Sequence, residues 1–118
     1  LLPVNTWRNE SRVASRNTWT AFGINVAGFY AVVASQDGTT VTLTPSATGG
    51  NIRAGTAIPN SGAGTVMLNQ GDVIQILSAT GGGTPDVTDL TGTRVTSDKP
   101  IQVIGGHVCT FIPNDTGY

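Results

Sequence analysis

The sequence predicts an all-β fold, an antiparallel β-sandwich or a barrel-like meander built from three hairpins plus one to three extra strands, with the sandwich preferred. Three observations predict it. Short apolar runs are joined by polar turns three times over, at Ser35-Gln36-Asp37-Gly38, Asn69-Gln70-Gly71-Asp72 and Ser97-Asp98-Lys99-Pro100. Charged residues are only 11% of the 118, against a usual level of about 25%. Thr, Gly, Ser and Asn therefore carry the polarity, which suits antiparallel sheets with one wet face. Finally, the aromatic stretch Trp19 to Tyr30 lacks helical spacing and contains Gly23 and Gly28, each of which weakens a helix interior by about 1 kcal/mol.

Leu1 to Trp19 is the least regular part: Pro3, Asn5, Arg8, Asn9 and Ser11 interrupt any period, leaving Val4, Trp7 and Val13 as anchors for one short edge strand. WTAFGINVAGFY, from Trp19 to Tyr30, reads as a strand pair or a bulged strand whose aromatics serve either the core or a binding platform. Phe29 to Ala34 and Thr39 to Thr44 form the clearest expected hairpin, because Asp37-Gly38 between alternating hydrophobics tolerates positive φ. Val41 and Leu43 point inward and Thr40, Thr42 and Thr44 face water.

Pro45 to Gly64 is a Gly/Ser/Ala/Asn/Pro loop with Ile52 and Ile58 as its only large apolar residues, long enough to be a binding loop or a flexible crossover. The second hairpin joins Val66 and Leu68 to Val73-Ile74-Gln75-Ile76-Leu77, whose consecutive apolar residues predict a central strand. Ser78 to Asp89 is another Gly-rich loop; Asp86 and Asp89 resemble a fragment of a calcium loop, without the EF-hand pattern. The third hairpin spans Leu90 to Ile104, with Pro100, which has no N–H to give a ladder, at the first residue of its second strand. Gly38, Gly71 and Pro100 stand 33 and then 29 residues apart, a spacing suggestive of a repeated strand-turn-strand unit. Val108 to Ile112 is a final short strand.

Composition narrows the function classes. Six basic against seven acidic residues, net −1, leave no electrostatic footprint for nucleic acid. Arg8, Arg12, Arg16 and Arg53 are scattered, reading as solvated surface or an anion or glycan patch. No apolar run approaches the ~18 residues of a membrane span, and no basic segment leads an apolar one, so a signal peptide is absent or already removed. Asn9-Glu10-Ser11 and Asn114-Asp115-Thr116 match the N-glycosylation pattern. The lone Cys109 reads as a buried core thiol or as one half of a disulfide whose partner lies beyond Tyr118.

Catalysis is not expected. His107 and Cys109 share a strand face roughly 6–7 Å apart at about 3.3 Å rise per residue, which favours packing over a Cys–His couple. Asp98 and Asp115 are only distant candidates for a third member. One His and one Cys cannot complete a zinc site. Gly81-Gly82-Gly83 has no following Lys-Ser/Thr or helix, so it is no phosphate loop. The single glutamate, Glu10, leaves paired-carboxylate hydrolysis to distant aspartates. The expectation is one β-rich extracellular domain over residues 1–118 that binds rather than catalyses, without cofactor or metal. Trp19, Tyr30, Arg53, Asn60, Asp86 and Asp89 are its candidate ligand-binding residues.

The order FYAVVASQDGTTVTLTP, VMLNQGDVIQI and DLTGTRVTSDKPIQVIGGHVC, opened by LPVNTW, resembles the N-terminal domain of IgG Fc-binding protein and its bacterial surface relatives. The most specific piece is DLTGTRVTSDKPI followed by Gly106-His107-Val108-Cys109. The resemblance implies a secreted or surface-attached adhesion or binding module for an extracellular protein or glycan. A structural repeat of a surface fibre, pairing with neighbouring copies of itself, is the alternative. It also implies that the chain is the N-terminal portion of a larger domain, with a further cysteine downstream to pair with Cys109.

Overall fold

The computed structural model describes residues 2–21, 23–47, 50–53, 57–80 and 88–109. A 3-10 turn at Val4–Thr6 precedes eight strands: β1 (Arg8–Arg12), β2 (Trp19–Ala21), β3 (Ile24–Val26), β4 (Gly28–Ala34), β5 (Thr39–Thr44), β6 (Gly64–Leu68), β7 (Val73–Leu77) and β8 (Arg94–His107). The all-β antiparallel class holds, as a curled half-barrel sheet plus a small two-stranded one. β2 and β3 pair antiparallel from Trp19↔Val26 to Ala21↔Ile24, the strand pair that was one of the two readings of this stretch.

The main sheet runs β6-β5-β8-β4-β7, with β1 on β8. Its registers show that the three polar turns do not fold the chain back. β4 pairs with β8 from Gly28↔His107 to Ala34↔Ile101, and β5 continues along the same side of β8 from Val41↔Ser97 to Thr44↔Arg94. Likewise β6 lies against β5 and β7 against β4, end to end. β8 passes straight through Ser97-Asp98-Lys99-Pro100 within one 14-residue strand. At about 3.3 Å per residue it is roughly 43 Å long, close to the molecule's longest extent of 44 Å. The expected hairpins are thus three long ribbons, interrupted at 35–38 and 69–72 and continuous through 97–100.

The physical reason is competition from a distant partner. A local turn fixes four residues, whereas β8 offers a ladder to both halves of the β4–β5 ribbon at once. The bends line up and knit together. Gly38 N–H donates to Asn69 Oδ1 at 3.2 Å and Gln70 N–H to Asp37 Oδ1 at 2.9 Å. Thr40 N–H donates to Asp98 Oδ1 at 2.8 Å, and Lys99 Nζ reaches the Asp37 and Gly38 carbonyls. Gly38 (φ +62°) and Gly71 (φ +82°) supply the left-handed residues that such bends need. The result is a polar belt across the middle of the sheet.

Alternation sets the faces. β4 buries Tyr30, Val32 and Ala34, and β5 buries Thr39, Val41 and Leu43, as the pattern predicts for Val41 and Leu43. β7 is not central: it ends the sheet, and its Val73 is 58% exposed. Its apolar run divides between Ile76, fully buried, and an outer face.

The inner face of the sheet is covered by irregular chain. Ile52, Ile58 and Leu90 join Val13, Tyr30, Leu43, Leu68, Ile76, Val95 and Ile101 in one buried cluster. The Pro45 to Gly64 connection therefore inserts two anchors into the core, and the reading of it as a free crossover is corrected. Segment 14–16 lies so close that a Cβ on Gly105 would sit 1.7 Å from Ala14 O, and one on Gly28 1.8 Å from Arg16 O. Only glycine permits that approach.

Candidate functional site

The two Gly-rich connections and the β2–β3 hairpin converge at one end of the sheet. Ile52 bridges antiparallel to Ser78, while Arg53 N–H donates to Leu77 O at 3.0 Å and Ala79 N–H to Asn51 O at 2.8 Å. On the other side of the same segment, Ile52 N–H donates to Asn60 O at 2.9 Å, and Gly50 N–H to Asp89 O at 2.8 Å.

Hydroxyls lock this end from within. Ser78, fully buried at the end of β7, donates to Thr18 Oγ1 at 2.6 Å, because the Thr18 hydroxyl proton goes to Ala79 O at 2.7 Å. Thr18 N–H donates to Thr88 Oγ1 at 2.9 Å. The Arg53 guanidinium straps across the top, Nε to Ser78 O at 3.2 Å and Nη2 to Asn25 O at 3.5 Å. Arg53 thus ties the long connection both to the sheet and to β3, next to the Trp19↔Val26 pair.

Of the six candidate ligand-binding residues, four meet at this end: Trp19 and Asp89 half-buried, Arg53 half-buried and strapped, Asn60 exposed. Asp89 Oδ1 accepts from Thr91 N–H at 2.8 Å. Tyr30 is elsewhere in role: it is 1% exposed and part of the core, so it offers no surface ring, and burial pushes its phenol up to about 12. Asp86 lies outside the described residues, as do Asn114-Asp115-Thr116 and most of the expected final strand. Among the described residues no group of three or more His, Cys, Asp or Glu could hold a metal ion.

Sequence reasoning missed the residues that hold the end together, Thr18, Ser78 and Asn25, because nothing marks one hydroxyl among many in a Thr/Ser-rich chain. It also missed Ile24 and Val108, 62% and 69% exposed. Val108 N–H donates to Ala27 O, one residue beyond the end of β3. Two exposed aliphatics thus flank the same end.

Cys109 is exposed and free, which overturns its reading as a buried core thiol. His107 is engaged on both ring nitrogens: Nδ1 accepts from Cys109 N–H at 3.0 Å and Nε2 stands 3.1 Å from Asn17 O. A carbonyl only accepts, so Nε2 carries the proton and the ring is a strut between β8 and segment 14–18. Among the described residues no helix is long and apolar enough to cross a membrane.

A family model described as IgGFc binding protein matches residues 1–118, the whole chain. Neither among curated proteins nor among solved structures does the chain find a match.

Proposed function

The chain belongs to the IgGFc binding protein family, and from that premise we propose that residues 1–118 form one extracellular, noncatalytic binding domain whose ligand face is the loop-bearing end. The ligand is a protein, and the Fc region of immunoglobulin G, which the family is described as binding, is the first to test.

One observation carries the choice of face. Three separate stretches of chain, carrying Trp19, Arg53 with Asn60, and Asp89, are fastened together there by backbone and hydroxyl hydrogen bonds. Exposed Ile24 lies alongside. A half-buried aromatic, a held guanidinium, an exposed amide and an uncovered aliphatic on a rigid base are the makings of a hot spot with a polar rim. Preorganisation limits the ordering cost of binding.

The measurement is surface plasmon resonance of the chain over immobilised Fc. Ile24→Asp and Asn60→Ala each weaken binding, by roughly tenfold for the former, while Asp98→Ala, in the polar belt at mid-sheet, leaves it unchanged. Absence of Fc binding at high micromolar concentration removes Fc as the ligand. Binding that ignores both end substitutions removes this face. Assembly with neighbouring copies is favoured by a different part of the molecule, the outer edge of β6 and β7.

A further inference from the structure

The sheet has two outer edges, and they are built differently. On one side β1 carries Arg8, Glu10 and Arg12 within five residues, and Glu10 grips Arg94 of β8 with both carboxylate oxygens, at 2.7 and 3.0 Å. Charges of this density are the usual guard against strand addition. On the other side β6 (GTVML) and β7 (VIQIL) carry no charge and no proline in ten strand residues. Among the described residues only the final residue of β7 is covered, where Arg53 N–H meets Leu77 O. Met67 and Val73, 70% and 58% exposed, stand on the outer face of this unguarded edge.

We propose that the β6–β7 edge pairs antiparallel with the same edge of a second copy of this chain, forming a closed twofold dimer with one sheet continuous through both. The edge presents backbone N–H and C=O groups at strand spacing, which only another extended polypeptide can satisfy in series. Its own pattern selects a second copy. A twofold axis at Gln70 sets Val66 against Ile74, Met67 against Val73 and Thr65 against Gln75. These three pairs are face-matched, because inward residues keep an even spacing from Val66 to Ile76 through the bend. In them aliphatic meets aliphatic and polar meets polar, as cross-strand stabilisation requires, while nearer the axis Leu68 stands against Asp72. Pairing with the opposite edge of a neighbour would instead set Arg8, Glu10 and Arg12 against Met67 and Val73. The assembly therefore closes as a pair and does not propagate as a fibre. This proposal is independent of the ligand face described above, which lies at the end of the sheet.

The test is sedimentation equilibrium of the chain without ligand, under reducing conditions so that Cys109 forms no disulfide, from micromolar to near-millimolar concentration. The wild-type chain passes from monomer to dimer. The double variant Met67→Lys/Val73→Lys, whose circular dichroism confirms the fold, dissociates at concentrations roughly tenfold or more higher. Glu10→Lys, on the opposite edge, dimerises as the wild type does. A wild-type chain that stays monomeric throughout, species larger than a dimer, or a lysine variant that dimerises unchanged each overturns the proposal. Fc binding plays no part in any arm, so the two readings fail separately.

Discussion

The polar belt across the middle of the sheet and the loop-bearing end both join stretches of chain far apart in sequence, and they are held in opposite ways. The belt is a set of exposed hydrogen bonds among the bends at 35–38, 69–72 and 97–100. The end is fixed by buried apolar anchors, Ile52, Ile58 and Leu90, and by the buried Ser78 hydroxyl. A hydrogen bond in reach of water contributes a net ~1 kcal/mol, while a buried aliphatic contributes several times that once its cavity cost is counted. The described residues of the end are therefore anchored in the core, and the belt joins the ribbons without carrying much of the stability.

Substitutions in the two regions should separate accordingly. Ile58→Ala should cost about 3 kcal/mol in urea unfolding, because Ile58 fills the core beneath the long connection. A cost near zero would mean that the connection is not anchored.

Tyr30→Phe sharpens the account of the core with the opposite sign. The Tyr30 hydroxyl is buried without a hydrogen-bond partner among the described residues, so its removal should stabilise by about 1 kcal/mol at neutral pH. Burial raises the phenol to about 12 from 10.0. The folded state thus holds the proton more tightly, and this stability is fully present below pH 10 and lost as pH rises to 12. Over that window the wild type should lose up to ~1.4 kcal/mol per pH unit more than the phenylalanine variant. Parallel pH profiles would place the hydroxyl in contact with water.

The smallest effect belongs to the belt. Asp98→Ala removes the acceptor for Thr40 N–H, on the surface. It should cost under about 1 kcal/mol and leave amide exchange at the loop end unchanged. A loss equal to that of Ile58→Ala would abolish the distinction between the two regions.

Much of this was legible in the residues. Alternation in Val41, Leu43 and the intervening threonines places them on the faces observed. At two of the three turns the residue spacing argues against the hairpin expected there. Leu68 and Ile74, like Val95 and Ile101, keep an even spacing through the bend. A hairpin closed on the same four residues would have set inward Leu68 against outward Val73, and inward Ile101 against Thr96. At 35–38 no such signal exists, since Val32 would face Val41 and Tyr30 would face Leu43 in a hairpin as well. Of the candidate site, Trp19 was named as an aromatic and Arg53, Asn60 and Asp89 from the loops that carry them, but their convergence depends on Ser78 and Thr18, which carry no local mark.

By itself the sequence determined the all-β class and the inward face of β5, because side-chain period and turn chemistry are properties of neighbouring residues. Only the tertiary structure decided that the bends run straight on, that β7 is an edge and that Ile52 and Ile58 turn a glycine-rich connection into part of the core. Those outcomes rest on β8, which arrives from the far end of the chain and supplies a ladder longer than any turn can oppose.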